Sequence, residues 1–423
     1  MNREVIENSR LGEKYTLVHH KSGLDIYIWK MEGFSTTEAC FGTKYGSINT
    51  RFRTKDKAEF TQVPEGIAHY LEHKLFENED SDVFDLYAKT GASGNAYTTF
   101  DETVYTFSCS ENYEESLEIL LDFVQNPYFT EETVAKEQGI IGQEIKMCQD
   151  VPDRQCFFNL LKALYFENPV KIDVAGTVES IAKITPELLY ECYNTFYNLH
   201  NMVLTIAGNV DEDKVLEICD RKLRNCEDMK LETDFPKEPE GIVQKKITEK
   251  FQVGQPIFSI GFKAEPAKGR EILKQEATAS VLLHMLIGST SKLYKELFDE
   301  GLLNSRFGIE VFLGEGFMVS HVQGESHDPD EVFRRYMAEV ERVKREGLDK
   351  EQFEIIKKSK YGNLVRSFNN PAHCADDLVE CAFCDASPFD EAEYLASLTL
   401  EDCQKGLDIF FDTEKAAISI VEN

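Results

Sequence analysis

His69-Tyr70-Leu71-Glu72-His73 sets two imidazoles four residues apart, with a carboxylate immediately before the second. On a helix, positions i and i+4 project from one face, so both rings can reach a single ion. Two histidines leave the protein one ligand short of an open-sided zinc site, and a carboxylate from elsewhere in the chain is the expected third. Zinc lowers the pKa of a water in the open position, and Glu72 is placed to take that proton and pass it to a leaving amine. Two histidines and a glutamate on an amphipathic helix also describe a plain polar stripe. The five residues alone do not separate the two readings.

A second pattern separates them. Thr130 is a good N-cap for a long helix, EETVAKEQGIIGQEIKMCQD, in which Glu137 and Glu144 lie seven residues apart. That spacing is two turns, about 10.5 Å along one face. Val134, Ile140, Ile141 and Ile145 surround both, so the carboxylates are expected beside a buried seam. A charge there is costly unless it is paired or metal-bound. Glu144 is therefore expected to join His69 and His73 as ligands of one zinc ion per chain. Glu137 is expected to act catalytically beside Glu72 as a supporting carboxylate, orienting a histidine or the metal's water.

The elements that carry these residues follow from periodicity. LDIYIWKME, residues 24–32, and the following ACFGTKYGSINT read as strands of one sheet. The helix of the His pair is expected to begin near Pro64, whose fixed φ suits a first helical turn, with Glu65 beside it. GASGNAYTTFDETVYTFSCS reads as two short strands, and ENYEESLEILLDFVQ as a helix burying Leu117, Leu120, Leu121 and Val124. NMVLTIAGNV closes this half as a strand. Residues 225–248 are charged, contain two prolines and lack a sustained apolar face, so they read as a linker between residues 1–224 and 249–423. The second half repeats the pattern of the first. Thr130 falls on Asp349, whereas Glu137 and Glu144 fall on Ile356 and Asn363, and the helix near His284 lacks His-x-x-Glu-His. The repeat keeps the fold and loses the chemistry.

Composition is that of an ordinary globular chain: 423 residues, 42% apolar and 29% charged. Its net charge of −30 disfavours nucleic acid as a partner and suits solubility or the steering of basic peptides. Eleven scattered cysteines, an N-terminus without an apolar core and no run of about 18 apolar residues give the expectation of a cytoplasmic protein with no membrane insertion. Cys381-x-x-Cys384, near His373 and Cys374, reads as core thiols rather than a second metal site.

GIAHYLEHKLFE, GASGNAYTTFDETVYTF, AKEQGIIGQEI and GTVESIAKIT resemble the pitrilysin/insulinase family of inverzincin metallopeptidases, which includes the mitochondrial processing peptidase, and within it the bacterial YmfH-type members. The resemblance spans nearly the whole chain. It implies an α+β fold of two homologous halves of the LuxS/processing-peptidase-like metallohydrolase type, each a mixed sheet with helices packed on it, forming a clamshell. It implies His69, His73 and Glu144 as zinc ligands, Glu72 as general base and Glu137 as an essential supporting carboxylate. It also implies that Gly94, Asn95, Ala96 and Tyr97 form an edge strand that receives substrate by β-addition, the alternative being a Gly-Asn turn entering an ordinary strand.

One segment departs from the family. Active members carry an Arg and a Tyr in the second half, where this chain has Phe298 and Asn304, with Arg306 out of register. The expected function is zinc-dependent endopeptidase cleavage of peptides or precursor segments in an enclosed chamber. The chain would be the catalytic subunit of a heterodimer whose metal-free homologue supplies the Arg and Tyr. The competing expectation is a non-catalytic scaffold or presentation subunit, against which the intact Glu72 argues.

Overall fold

A computed structural model describes residues 2–77, 79 and 82–423, which divide into two compact units. Unit 1 comprises Met1–Ile145, Asp173–Phe235 and Val365–Pro388; unit 2 comprises Lys146–Ile172, Pro236–Leu364 and Phe389–Asn423. Chain order alone therefore does not define them. Residues 225–248 divide between the two, and each unit takes one segment from the other half of the sequence.

The strands in chain order are β1 (Asn2–Asn8), β2 (Glu13–His19), β3 (Asp25–Lys30), β4 (Thr37–Thr43), β5 (Arg51–Arg53), β6 (Thr61–Gln62), β7 (Ser93–Thr98), β8 (Thr103–Cys109), β9 (Met202–Gly208), β10 (Glu232–Thr233), β11 (Lys246–Lys250), β12 (Ile257–Ala264), β13 (Gly308–Gly314), β14 (Phe317–Glu325) and β15 (Ala416–Glu422). The helices of unit 1 are α1 (Ile67–Leu75), α2 (Val83–Thr90), α3 (Tyr113–Gln125), most of α4 (Glu131–Gln149), α6 (Val178–Ile181), α7 (Pro186–Phe196), α8 (Glu212–Lys222) and α13 (Pro371–Phe383). Unit 2 holds α5 (Pro152–Leu164), α9 (Glu271–Ile287), α10 (Lys292–Asp299), α11 (Pro329–Glu346), most of α12 (Lys350–Ser367) and of α14 (Pro388–Ser397), and α15 (Leu400–Phe410).

Unit 1 is built on a seven-stranded mixed sheet, β1-β2-β3-β9-β4-β8-β7. Ile26, Ile28, Ala39, Phe41, Tyr105, Phe107, Leu204 and Ile206 alternate onto one face and join the core formed with α1, α3 and α4. The other face is covered by α13: Thr205 donates to the Ala375 carbonyl at 2.7 Å, and a Cβ at Gly42 would meet Val379 at 2.9 Å. Covered on both sides, β9 is buried throughout and shows no apolar–polar alternation.

Unit 2 repeats the plan on a five-stranded sheet, β11-β15-β12-β14-β13. Phe258, Ile260 and Phe262 face its helical core. Ser259, Gly261 and Lys263 face α5, where Lys263 donates to the Leu164 carbonyl and a Cβ at Gly261 would meet Leu160 at 3.0 Å. The register that aligns Thr130 with Asp349 also aligns Pro152, the first residue of α5, with Pro371, the first of α13. Equivalent helices are thus exchanged between the two units.

α1 starts three residues after Pro64. Its N-cap is Gly66, at φ 86°, and the helix begins at Ile67. A Cβ on Gly66 would lie 2.4 Å from the Ala175 carbonyl oxygen, and one on Gly176 would lie 2.6 Å from that of Glu65. Thr177 and Ser180 form a capping box at α6, and Ser180 Oγ donates to the Glu65 carbonyl at 2.8 Å. The Gly-Thr-Val-Glu-Ser turn therefore fixes where the His-bearing helix starts. Gly66→Ala is expected to destabilise the protein by about 1–3 kcal/mol through the left-handed backbone alone. The overlap with Ala175 adds to this, and urea unfolding with zinc retention measured in parallel checks it.

Candidate metal centre

Val134, Ile141 and Ile145 of α4 bury against α1, whereas Ile140, expected in the same seam, is half-exposed on the outer face of the helix. The Tyr70 hydroxyl donates to the Val134 carbonyl, which ties the two helices together. His69 and His73 stand one turn apart on α1, ring centroids 4.6 Å apart, and α4 brings Glu144 to both. Glu144 Oε1 lies 3.6 Å from His69 Nε2 and Oε2 lies 3.4 Å from His73 Nε2. The ligand atoms of the three lie within 4.8 Å of one another, the one such group among the described residues. Donors about 2.0–2.2 Å from a tetrahedral zinc stand about 3.3–3.6 Å apart. Two imidazoles and a carboxylate at this spacing fit that ion.

Glu137, two turns before Glu144 on α4, accepts from His73 Nδ1 at 3.0 Å. A histidine donating Nδ1–H to a carboxylate presents its Nε2 lone pair, the atom that faces Glu144. The hydrogen bond from His73 holds the Glu137 carboxyl below its ordinary range. Burial pulls His73 down, yet Glu137, Glu72 and Glu144 together raise it above the usual histidine value.

Glu72 immediately precedes His73 on α1 and is only 9% exposed. Burial pushes its carboxyl up, against the opposing pull of His73 and of a hydrogen bond from Thr98. That bond runs from Thr98 Oγ1 to Glu72 Oε2 at 2.9 Å. Sequence reasoning stopped one residue short of Thr98. The signal was strand alternation, which sets Gly94, Ala96 and Thr98 on one face; Gly94 approaches Tyr87 and Ala96 packs on the unit 1 core.

Gly94, Asn95, Ala96 and Tyr97 lie inside β7, paired antiparallel with β8 alone, at the edge of the sheet. The Gly-Asn pair is strand, not turn. Asn95 is exposed on the face opposite Thr98, where the Tyr97 hydroxyl donates to Asp376 Oδ1 on α13.

Among the described residues, unit 2 has no group of histidines and carboxylates comparable to that of unit 1. Asp349 caps α12 as Thr130 caps α4, with Gln352 N donating to Asp349 Oδ1 at 2.7 Å and Thr133 N to Thr130 Oγ1 at 3.2 Å. Ile356 is buried core, and His284 donates to the Ser280 carbonyl of its own helix at 2.8 Å. Phe298 is half-exposed on α10 beside Tyr294, and Asn304 donates to Glu325 at 2.8 Å. Arg306 is held by Asp153 at 3.2 Å and Glu325 at 2.9 Å. Cys374 and Cys381 are buried on α13, with the Cys381 thiol on Asp377, whereas Cys384, at the end of that helix, is only half-buried. Among the described residues, no helix is long and apolar enough to cross a membrane.

Residues 61–178 match the model of the insulinase family, peptidase family M16, and residues 183–360 match that of the peptidase M16 inactive domain. YmfH of Bacillus subtilis (strain 168), described as an uncharacterized zinc protease, is 42% identical over 410 residues, 94% of each chain. The crystal structure of an M16-like peptidase from Alicyclobacillus acidocaldarius is 35% identical, with a TM-score of 0.95 over 99% of this chain and 100% of that one. A protease structure from Helicobacter pylori, 19% identical, shares the fold, with a TM-score of 0.85 over 97% of this chain and 100% of that one. The family's inactive-domain model thus reaches into the half whose repeat has lost its histidine pair and both carboxylates, and the insulinase model lies within the half that keeps them. Matched along nearly its whole length to a zinc protease of that kind, the chain belongs to the pitrilysin/insulinase family of peptidases, family M16.

Proposed function

We propose that the chain is a zinc-dependent endopeptidase acting on extended peptides or precursor segments, and that it is the catalytic subunit of a pair with a metal-free homologue. The observation that carries this is the convergence of His69, His73 and Glu144 on one point, with a buried Glu72 beside them. Those three residues would hold one zinc, and Glu137 would keep His73 in the ligating tautomer. When bound, the ion supplies Lewis acidity, making water a nucleophile near neutral pH and polarising the scissile carbonyl. Glu72 takes the proton from the attacking water and delivers it to the leaving amine. The edge strand β7 offers main-chain partners to an extended peptide, with Asn95 exposed to contact its side chains.

The partner is invoked because Phe298 and Asn304 stand where active relatives are expected to carry Arg and Tyr, and because Arg306 is engaged by Asp153 and Glu325. The same substitutions favour a second reading, a scaffold without turnover. A quenched-peptide assay on the zinc-loaded chain separates them, run alone, with a chelator, and with a metal-free homologue that retains Arg and Tyr. Slow chelator-sensitive cleavage alone, rising about 10²-fold or more on mixing, is expected, since one transition-state donor is worth that much. Full turnover by the chain alone removes the partner. No cleavage in any arm with zinc bound leaves the scaffold.

A further inference from the structure

We propose that Thr98 is a positioning residue for the general base: its hydroxyl fixes the rotation of the Glu72 carboxylate and ties it to the strand that would receive the peptide. The inference rests on the peptidase reading above.

A glutamate's last torsion is broad and nearly two-fold, so a carboxylate on a helix does not by itself aim one oxygen at a reacting water. Something must hold the other oxygen. Among the described residues, the hydrogen bond to Glu72's carboxylate is the one from Thr98 Oγ1 to Oε2, at 2.9 Å. Oε1 is left for proton transfer.

The proton positions are determined by chemistry. An ionised carboxylate only accepts, so Thr98 must donate to Glu72. Its neighbour Thr103 has a carbonyl of its own to serve, donating to Tyr45 at 2.8 Å, against 3.4 Å to Thr98 Oγ1. Thr103 is completely buried, so this small hydroxyl group sits in a fixed environment. The single Thr98 proton therefore has one short acceptor, in a partly buried place where such a bond is stronger than in water.

Placement gives the bond a second meaning. Thr98 is the last residue of β7, paired with Thr103 of β8 in the register that also sets Gly94 against Phe107. A peptide adding to β7 would hydrogen-bond to the backbone of the strand whose final side chain aims the base. Strand and base are therefore aligned by one residue, with no separate loop between them.

Zinc-loaded wild type, Thr98→Val and Thr98→Ser test this with a quenched peptide, zinc analysis and crystal structures. Valine keeps the shape and strand preference of threonine and removes only the hydroxyl. Thr98→Val is expected to lower kcat by about 10- to 100-fold, with KM within about twofold and zinc content unchanged, and Thr98→Ser to restore most of kcat. In the structures, the Glu72 carboxylate keeps one orientation in wild type and Thr98→Ser and turns in Thr98→Val. The inference is overturned by any of three results: an unturned carboxylate in Thr98→Val, a rise in KM with kcat kept, or loss of zinc. If wild type cleaves nothing in any arm, the peptidase reading falls on that result alone, while the carboxylate orientation still decides the role of Thr98.

Discussion

Glu72→Gln is expected to lower kcat for peptide cleavage by about 10²- to 10⁴-fold while zinc stays bound. Glutamine has the size of glutamate and its amide oxygen can still accept from Thr98, so the helix and the metal ligands are undisturbed. It cannot take a proton from water at neutral pH. Glu72 is not one of the three side chains whose donor atoms converge, so zinc content should match wild type. The loss should also fall on kcat rather than KM, because β7 is untouched. Cleavage by Glu72→Gln at the wild-type rate would show that another group is the base and would sink the mechanism.

The second large effect separates two carboxylates on one helix. Glu144→Gln is expected to weaken zinc binding by well over 100-fold, because it replaces the charged ligand whose two oxygens lie 3.4 and 3.6 Å from the histidine nitrogens. Glu137→Gln should weaken it by only about 10- to 100-fold, since it touches the ion through His73. Competition with a fluorescent chelator measures both. Equal losses would mean that Glu137 is itself a ligand. The pH dependence has a definite sign. Glu137, Glu72 and Glu144 raise His73 above the usual histidine range, and its proton must leave before Nε2 can bind metal. Zinc affinity should therefore begin to fall at a higher pH than for an ordinary histidine, and Glu137→Gln should move that onset toward acid.

The convergence of the candidate metal ligands was legible because its parts are local. His69 and His73 sit at i and i+4 on one helix, and Glu137 and Glu144 at i and i+7 on another, so helical periodicity alone puts each pair on a face. The apolar residues around the glutamates also gave the seam that brings the helices together. Thr98 was not legible by the same means. It reaches Glu72 from 26 residues away across a helix–strand contact, and no spacing rule connects those positions. The start of α1 was legible only to within a turn, because proline at a first helical turn is a general preference, whereas Gly66 answers to one particular carbonyl, that of Ala175. The hairpin of β1 and β2 was passed over because β1 has five exposed residues among its seven and no apolar face to give it a period. β9 was read correctly as a strand, but its place between β3 and β4 is a pairing across more than 150 residues that local pattern does not carry.

The exchange of α5 and α13 bears on what kind of object this polypeptide is. A fragment ending at Phe235 would contain every strand of the unit 1 sheet and every residue of the metal centre, yet it would lack α13, and the faces of β4 and β9 around Gly42 and Thr205 would meet water. The complementary fragment would likewise lack α5, and Ser259, Gly261 and Lys263 would be stripped of cover. Neither half of the gene therefore encodes an autonomous folding module, although each encodes a whole repeat. Two repeats that trade the same helix in the same register have the topology of a domain-swapped homodimer whose subunits became a single chain.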